Sequence, residues 1–309
     1  MKIIFYHLQQ VVRMWKLLRI ELFKIFKRPR TYIAFGAIAA VVLLFQIGMK
    51  FDGKTYLDLV LNNVSDSFEV TDEFKSKILN GYFICFAILN ILLIQMPLLV
   101  ALIAGDAIAG EANMGTLRLS LTKPVSRTQY MLVKFTASII YTLLLLIWLA
   151  VLALFGSMLI FGTNSLVIFR SEVIEQMNSY DILWRYVAAF GYAAVALTTV
   201  SALAFLLSVF AENSIGPIIA TMSIVIVLTI LSEFNIPIYD KTVKPYLFTT
   251  HMVAWKGFFY VQADADNKTI DGTIQNLPAI LRSLGILIIY IAGFVGTAIW
   301  VFRRKDILT

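Results

Sequence analysis

The chain has 309 residues, a formal net charge of +7 and one cysteine. Hydrophobic residues make up 60% and charged residues 15%, against roughly 45–50% and about 25% in ordinary soluble domains. This excludes a disordered chain, a disulfide scaffold, a collagen-like fibre and a coiled coil, and leaves a polytopic membrane protein.

Six stretches free of Asp, Glu, Lys and Arg reach 19 residues or more: 31–49, 78–105, 135–169, 186–211, 213–232 and 283–302. A helix crosses the hydrocarbon core with about 20 mostly apolar residues. The sequence therefore predicts six transmembrane helices, near 31–49, 81–104, 136–161, 186–210, 213–233 and 281–302. None of these runs shows the alternation of barrel strands. The predicted fold class is all-α, with an N-terminal segment over 1–30 and a six-span membrane domain over 31–309. An even span count puts both termini on one side. That side carries 15 basic and 5 acidic residues, and the other side carries 11 and 14. The positive-inside rule then makes both termini cytoplasmic, in a multi-pass protein of a bacterial inner or plasma membrane. The basic balance reports topology and does not argue for nucleic-acid binding.

In chain order, residues 11–28 read as an interfacial amphipathic helix. Val11, Trp15, Leu18, Leu22 and Ile25 form its apolar face, and Arg13, Lys16, Lys24, Lys27 and Arg28 mark the polar side. Residues 1–30 carry no small-residue cleavage site, so no cleavable signal is expected. Pro29 turns the chain into span one. Gly48-Met-Lys-Phe-Asp-Gly53-Lys54-Thr55 matches the phosphate-binding loop pattern, but it sits at the end of a span with no strand–loop–helix unit around it, so the match is rejected. The loops 50–80 and 162–185 read as solvated. Cys85 reads as a packing residue. Ala189 and Ala193 in span four form a small-xxx-small pair that permits close helix approach. Asn213 or Ser214 is placed to cap span five. The aromatic run 245–261 is too short to span, which leaves a re-entrant pair or a packed external cap.

Candidates for chemistry are few. His7 and His251 fall on opposite predicted faces and cannot form a metal pair. No charged residue lies deep within a span, which disfavours a proton-coupled pump. Asn90, Gln95, Thr142, Tyr192, Thr198 and Ser201 read mainly as contacts between helices. No cluster of His, Asp or Cys supports a membrane-embedded enzyme.

The informative segment lies between spans two and three. It runs Ala104-Gly-Asp-Ala-Ile-Ala-Gly110-Glu111-Ala-Asn-Met-Gly115-Thr116-Leu117-Arg118-Leu-Ser-Leu-Thr-Lys-Pro124-Val125-Ser126-Arg127. Pro124 breaks any helix, and Ser126 with Gln129 has capping-box spacing, so a helix is expected to start near Arg127. Leu117, Leu119 and Leu121 face the cytosol unless something covers them, as a docking surface would.

This run resembles the cytoplasmic segment of the type-2 ABC transporter permeases, which often show Gly-Glu, then Gly-Thr-Leu, then Pro-Val-Ser-Arg before the third span. The resemblance extends to the basic N-terminal helix, the six spans and the long connection before the last of them. It implies that Gly110, Glu111, Gly115, Thr116, Leu117, Arg118, Pro124 and Arg127 form a coupling element against a separate cytosolic ABC ATPase subunit, and that a second permease chain, identical or related, completes an exporter. It implies no catalysis in this chain, with ATP and Mg held by the partner. The alternative is a membrane scaffold or assembly subunit with no transport route. On this reading Glu111 lies outside the core, and Glu111→Arg leaves folding and insertion intact.

Overall fold

A computed structural model describes residues 2–62, 72–117, 125–170, 173–234, 237–262 and 270–305. Among them, six helices are long and apolar enough to cross a membrane: Pro29–Asp58, Gly81–Asn113, Arg127–Phe161, Ser179–Phe210, Ile215–Glu233 and Leu277–Arg304. These are spans one to six. Each overlaps a predicted span, and most run past the apolar stretch that predicted them. A helix closes its hydrogen bonds internally and need not stop where lipid does. The first helix continues to Asn62, with a non-helical residue at Asp52 (φ −132°, ψ 23°). The Gly48–Thr55 pattern therefore lies on a helix, which confirms that it builds no phosphate loop. Beyond it, a short helix Asp72–Ile78 follows, and its Lys75 pairs with Asp58 at 2.6 Å, so the described part of the 50–80 connection is largely helical.

The N-terminal helix runs from Lys2 to Phe26, longer than the stretch 11–28. Part of the predicted apolar face stays exposed, as an interfacial helix leaves it for lipid. Trp15 and Phe23 are 69% and 65% exposed, while Leu17, Leu18, Glu21 and Ile25 turn inward towards span three. The acidic and basic residues at 21 and 24 decide this, because they have buried partners.

The all-α expectation needs one amendment. Leu166–Arg170 and Val173–Met177 pair as an antiparallel hairpin, with Leu166 opposite Met177. Leu166, Val167, Ile168 and Met177 are buried in the main core. Strands of five residues are too short to give a clear period in the sequence.

Span four is the central helix, touching spans two, three, five and six. Ala189 and Ala193 are 2% exposed, so the small-residue pair packs inside this chain. Cys85 is fully buried, as a packing residue should be. The intramembrane hydroxyls mostly do not bridge helices. Thr142 donates to the Ser138 carbonyl (2.9 Å) and Thr198 to the Ala194 carbonyl (2.7 Å), and the Asn90 amide donates to the Phe86 carbonyl (2.9 Å). The carbonyl four residues back is always in reach, whereas a neighbouring helix is not. Tyr192 and Tyr186 reach further, donating to the His251 carbonyl at 2.7 Å and to the Tyr82 carbonyl of span two at 2.6 Å.

The run 245–261 forms a packed cap of short helical turns, Lys244–Tyr246, Phe248–Met252 and Val253–Phe259. Phe248, Trp255 and Phe259 bury in the same core as the spans. Arg185, fully buried at the start of span four, pairs with Asp181 (2.7 Å) and donates to the carbonyls of Phe258 (2.6 Å) and Thr273 (2.7 Å). One guanidinium thus ties the cap to the bundle. The His251 ring lies between Ser283 Oγ (3.0 Å) and the Pro245 carbonyl (2.9 Å). Among the described residues no group of His, Cys, Asp and Glu could hold a metal.

Span three contains one π turn, Val151–Phe155. Gln46 of span one donates to the Leu152 carbonyl and to Ser157 Oγ, both at 2.9 Å, satisfying an acceptor that the wider turn displaces. Next to it, Gly81 packs backbone to backbone against the end of span three. Its N–H donates to the Gly162 carbonyl (2.9 Å), and a Cβ there would meet Met158 Cα at 2.5 Å. Gly81→Ala is therefore expected to cost about 1–3 kcal/mol by overpacking and to lower the thermal unfolding midpoint in detergent. Gly36→Ala, where a Cβ meets nothing within 4 Å, should leave that midpoint unchanged or raise it.

Candidate functional site

The N-terminal helix and the end of span six lie at one end of the bundle, around the segment between spans two and three. After Gly105 the chain forms a short helix, Asp106–Asn113. Gly110 is needed because the Asp106 carboxylate lies where its Cβ would be. Gly115 has φ +66°, a left-handed backbone that glycine adopts without strain. The Thr116 N–H then donates to the Glu111 carbonyl at 3.0 Å, closing the turn.

Two buried carboxylates anchor this helix. Asp106, 4% exposed, receives the guanidinium groups of Arg28 and Arg30 and the hydroxyl of Ser214. Glu111, 3% exposed, accepts from Lys24 Nζ and Lys134 Nζ, each at 2.8 Å, and from the Tyr130 hydroxyl. Glu21 accepts from the same two lysines, at 2.7 and 2.9 Å. Two anions and two cations thus alternate, each within reach of two of the opposite sign. Burial alone would lower the Lys24 ammonium pKa. The hydrogen bonds and charges of Glu111 and Glu21 outweigh it and raise the pKa above its ordinary value.

This overturns the expectation that Glu111 lies outside the core. Its carboxylate faces the N-terminal helix and span three of its own chain. Leu117 is also covered rather than cytosol-facing, 7% exposed among Ile108, Tyr130, Met131, Phe205 and Phe302. Among the described residues 104–117, the exposed tip is Asn113 to Gly115, with Met114 55% exposed. Arg118, Leu119, Leu121, Lys123 and Pro124 lie outside the described residues.

The predicted start of span three is present. Ser126 and Gln129 form a reciprocal capping box (3.2 and 3.4 Å). Arg127 donates to the carbonyls of Phe302 (3.4 Å), Arg303 (3.0 Å) and Lys305 (2.9 Å), so it caps the C-terminus of span six, where a cation also suits the helix dipole. At span five, Asn213 Oδ1 accepts from the Gly216 N–H (2.9 Å), and Ser214 points to Asp106 instead. The residues that sequence reasoning missed are Glu21, Lys134, Tyr130, Asp106 and Arg30. Glu21 and Lys24, three apart, were a visible pair; the pairing of Lys134 with Glu111, 23 positions away, had no local signal.

Further along the bundle, spans two, four and five and the cap enclose a cavity of about 110 Å³. Asn90, Thr229 and Thr249 contribute polar groups, and Glu233 and Lys256 stand at one end. Burial lowers the Lys256 pKa, and the charge of Glu233 works against that shift.

Residues 38–308 match the family described as "Protein of unknown function (DUF2705)". The chain is also similar to "Uncharacterized protein YhcI" of Bacillus subtilis (strain 168), 26% identical over 219 residues, which is 68% of this chain and 64% of that protein. It therefore spans less than two thirds of the length of the curated relative it matches.

Breaking a buried ion pair from one side leaves an uncompensated charge and costs about 3–5 kcal/mol, whereas replacing both partners is often neutral. Glu111→Leu and Lys134→Leu should each lower the unfolding midpoint and raise protease sensitivity near residue 113. The double variant should recover most of the loss, since Lys24 and Glu21 still pair with each other.

Proposed function

The chain belongs to the DUF2705 family, and we propose that it is the permease subunit of an ATP-driven ABC exporter, multi-pass in a bacterial membrane with both termini in the cytoplasm. A separate ATPase subunit binds ATP and Mg, and a second permease chain completes the transport unit. The observation that carries this reading is the segment 105–117. It has the Gly-Glu and Gly-Thr-Leu pattern of the type-2 permeases, and it folds as a short helix with an exposed tip and a base ion-paired to three elements.

The geometry supports a specific form of coupling. A push on the tip at Asn113–Gly115 cannot be absorbed locally, because Glu111 is bonded to the N-terminal helix and span three, and Asp106 to the residues entering spans one and five. Closure of the ATPase pair would then displace these elements as a unit and bias the spans between two arrangements. Glu111 acts in this scheme as the internal anchor of the lever, and the exposed tip makes the contact. The cavity between spans two, four and five is the best candidate for part of the substrate route, because polar groups converge there in an otherwise apolar surrounding.

The test is affinity purification of the tagged chain from native membranes, with ATPase assay. An ATPase subunit should co-purify with the wild type. Met114→Arg should lower the yield of that subunit at least roughly tenfold, as expected for a charge introduced at a desolvated contact, with unchanged thermal stability of the permease. An ATPase recovered equally well with Met114→Arg would remove the tip from the contact. Absence of any ATPase would remove the permease reading itself.

A further inference from the structure

Span six is the least covered of the six helices, and a groove of about 840 Å³ runs along it. Its walls are Ile286, Ile289 and Gly293 of span six, with Leu206 of span four at its floor. Lys241 and Arg282 stand at the end farthest from the chain termini, and both are exposed. Among the described residues no acidic side chain lines the groove. Tyr246, 73% exposed at the same end, accepts through its carbonyl from the Tyr290 hydroxyl, and Tyr290 packs on Phe294 with ring centroids 5.6 Å apart. An exposed tyrosine beside two cations at a helix end marks the membrane–water boundary.

We propose that this groove binds one anionic glycerophospholipid, with its phosphate at Lys241 and Arg282 and an acyl chain along Ile286, Ile289 and Gly293. The dimensions fit. From Arg282 to Gly293 the helix rises about 17 Å, close to one leaflet of a hydrocarbon core about 30 Å thick. Charge selects the occupant. Two cations, with no acidic side chain among the described residues that line the groove, attract a phosphate. A second copy of this chain fits less well, because a two-fold contact through this face would set the same cationic patches against each other. The site is separate from the segment 105–117 and does not depend on the permease reading.

The experiment is native mass spectrometry of the full chain, released from detergent containing equimolar palmitoyl-oleoyl phosphatidylglycerol and phosphatidylcholine. The wild type should retain one phosphatidylglycerol roughly tenfold above phosphatidylcholine, as two cations near the headgroup imply. The double variant Lys241→Gln with Arg282→Gln should bring the two lipids to parity. Gly293→Trp, placed where a Cβ meets nothing within 4 Å, should lose the bound lipid with both cations intact. Parity in the wild type, or preference surviving in the double variant, would overturn the proposal. So would a wild-type dimer that Gly293→Trp converts to monomer, which would show the groove filled by a second copy. Displacement of the lipid by inorganic phosphate as effectively as by added phosphatidylglycerol would also overturn it, since the acyl chain would then contribute nothing.

Discussion

Asp106 and Glu111 are buried carboxylates on one eight-residue helix, and neither can be held there without cations to compensate it. That requirement draws together elements far apart in sequence. Arg28 and Arg30 come from the entry to span one, Lys24 from the N-terminal helix and Lys134 from the first turns of span three. Arg127 bonds the end of span six, and Lys305 donates to the Val209 carbonyl at the end of span four (2.8 Å). The result is a polar floor beneath an apolar bundle, in which the short helix is the common partner.

The opposite end uses the same device once more. Arg185 is surrounded by Asp181 and two carbonyls of the cap. Between the two ionic ends, the spans contribute apolar packing, hydroxyls that mostly bond within their own helices, and a few polar bridges such as Gln46 to span three. Lipid tails are as apolar as the side chains they meet, so apolar contact between helices gains little hydrophobic free energy in a membrane. Fixed polar ends therefore do much to decide which helices are neighbours.

The spans were legible because the cost of a charge in hydrocarbon leaves a plain record in composition: six long charge-free runs mark six helices. The helix start at Arg127 was legible because capping is local, spelled by Ser126 and Gln129. The hairpin at 166–177 was not, since five-residue strands leave too little periodicity. The candidate segment was legible as a pattern but not as a geometry. Glu111 reads as a surface acid because its neighbours in sequence are small and polar, and the lysines that bury it come from 87 positions before and 23 after. Leu18 and Ile25 of the predicted apolar face turn towards the bundle beside Glu21 and Lys24, while Trp15 stays exposed, as an apolar residue of an interfacial helix can. Long-range ion pairing overrode the local signal at Glu111.

Coupling requires that the exposed tip beside this ionic floor meet an ATPase and feel its cycle. The direct measurement is photo-crosslinking from a reactive amino acid at position 114 in native membranes, with a second probe at the exposed position 289 of span six as control. The account predicts a crosslink from position 114 to an ATP-binding subunit, with a yield that changes when a non-hydrolysable ATP analogue is added, and no such product from position 289. A tip that crosslinks only to lipid or to its own chain, with or without nucleotide, would contradict it.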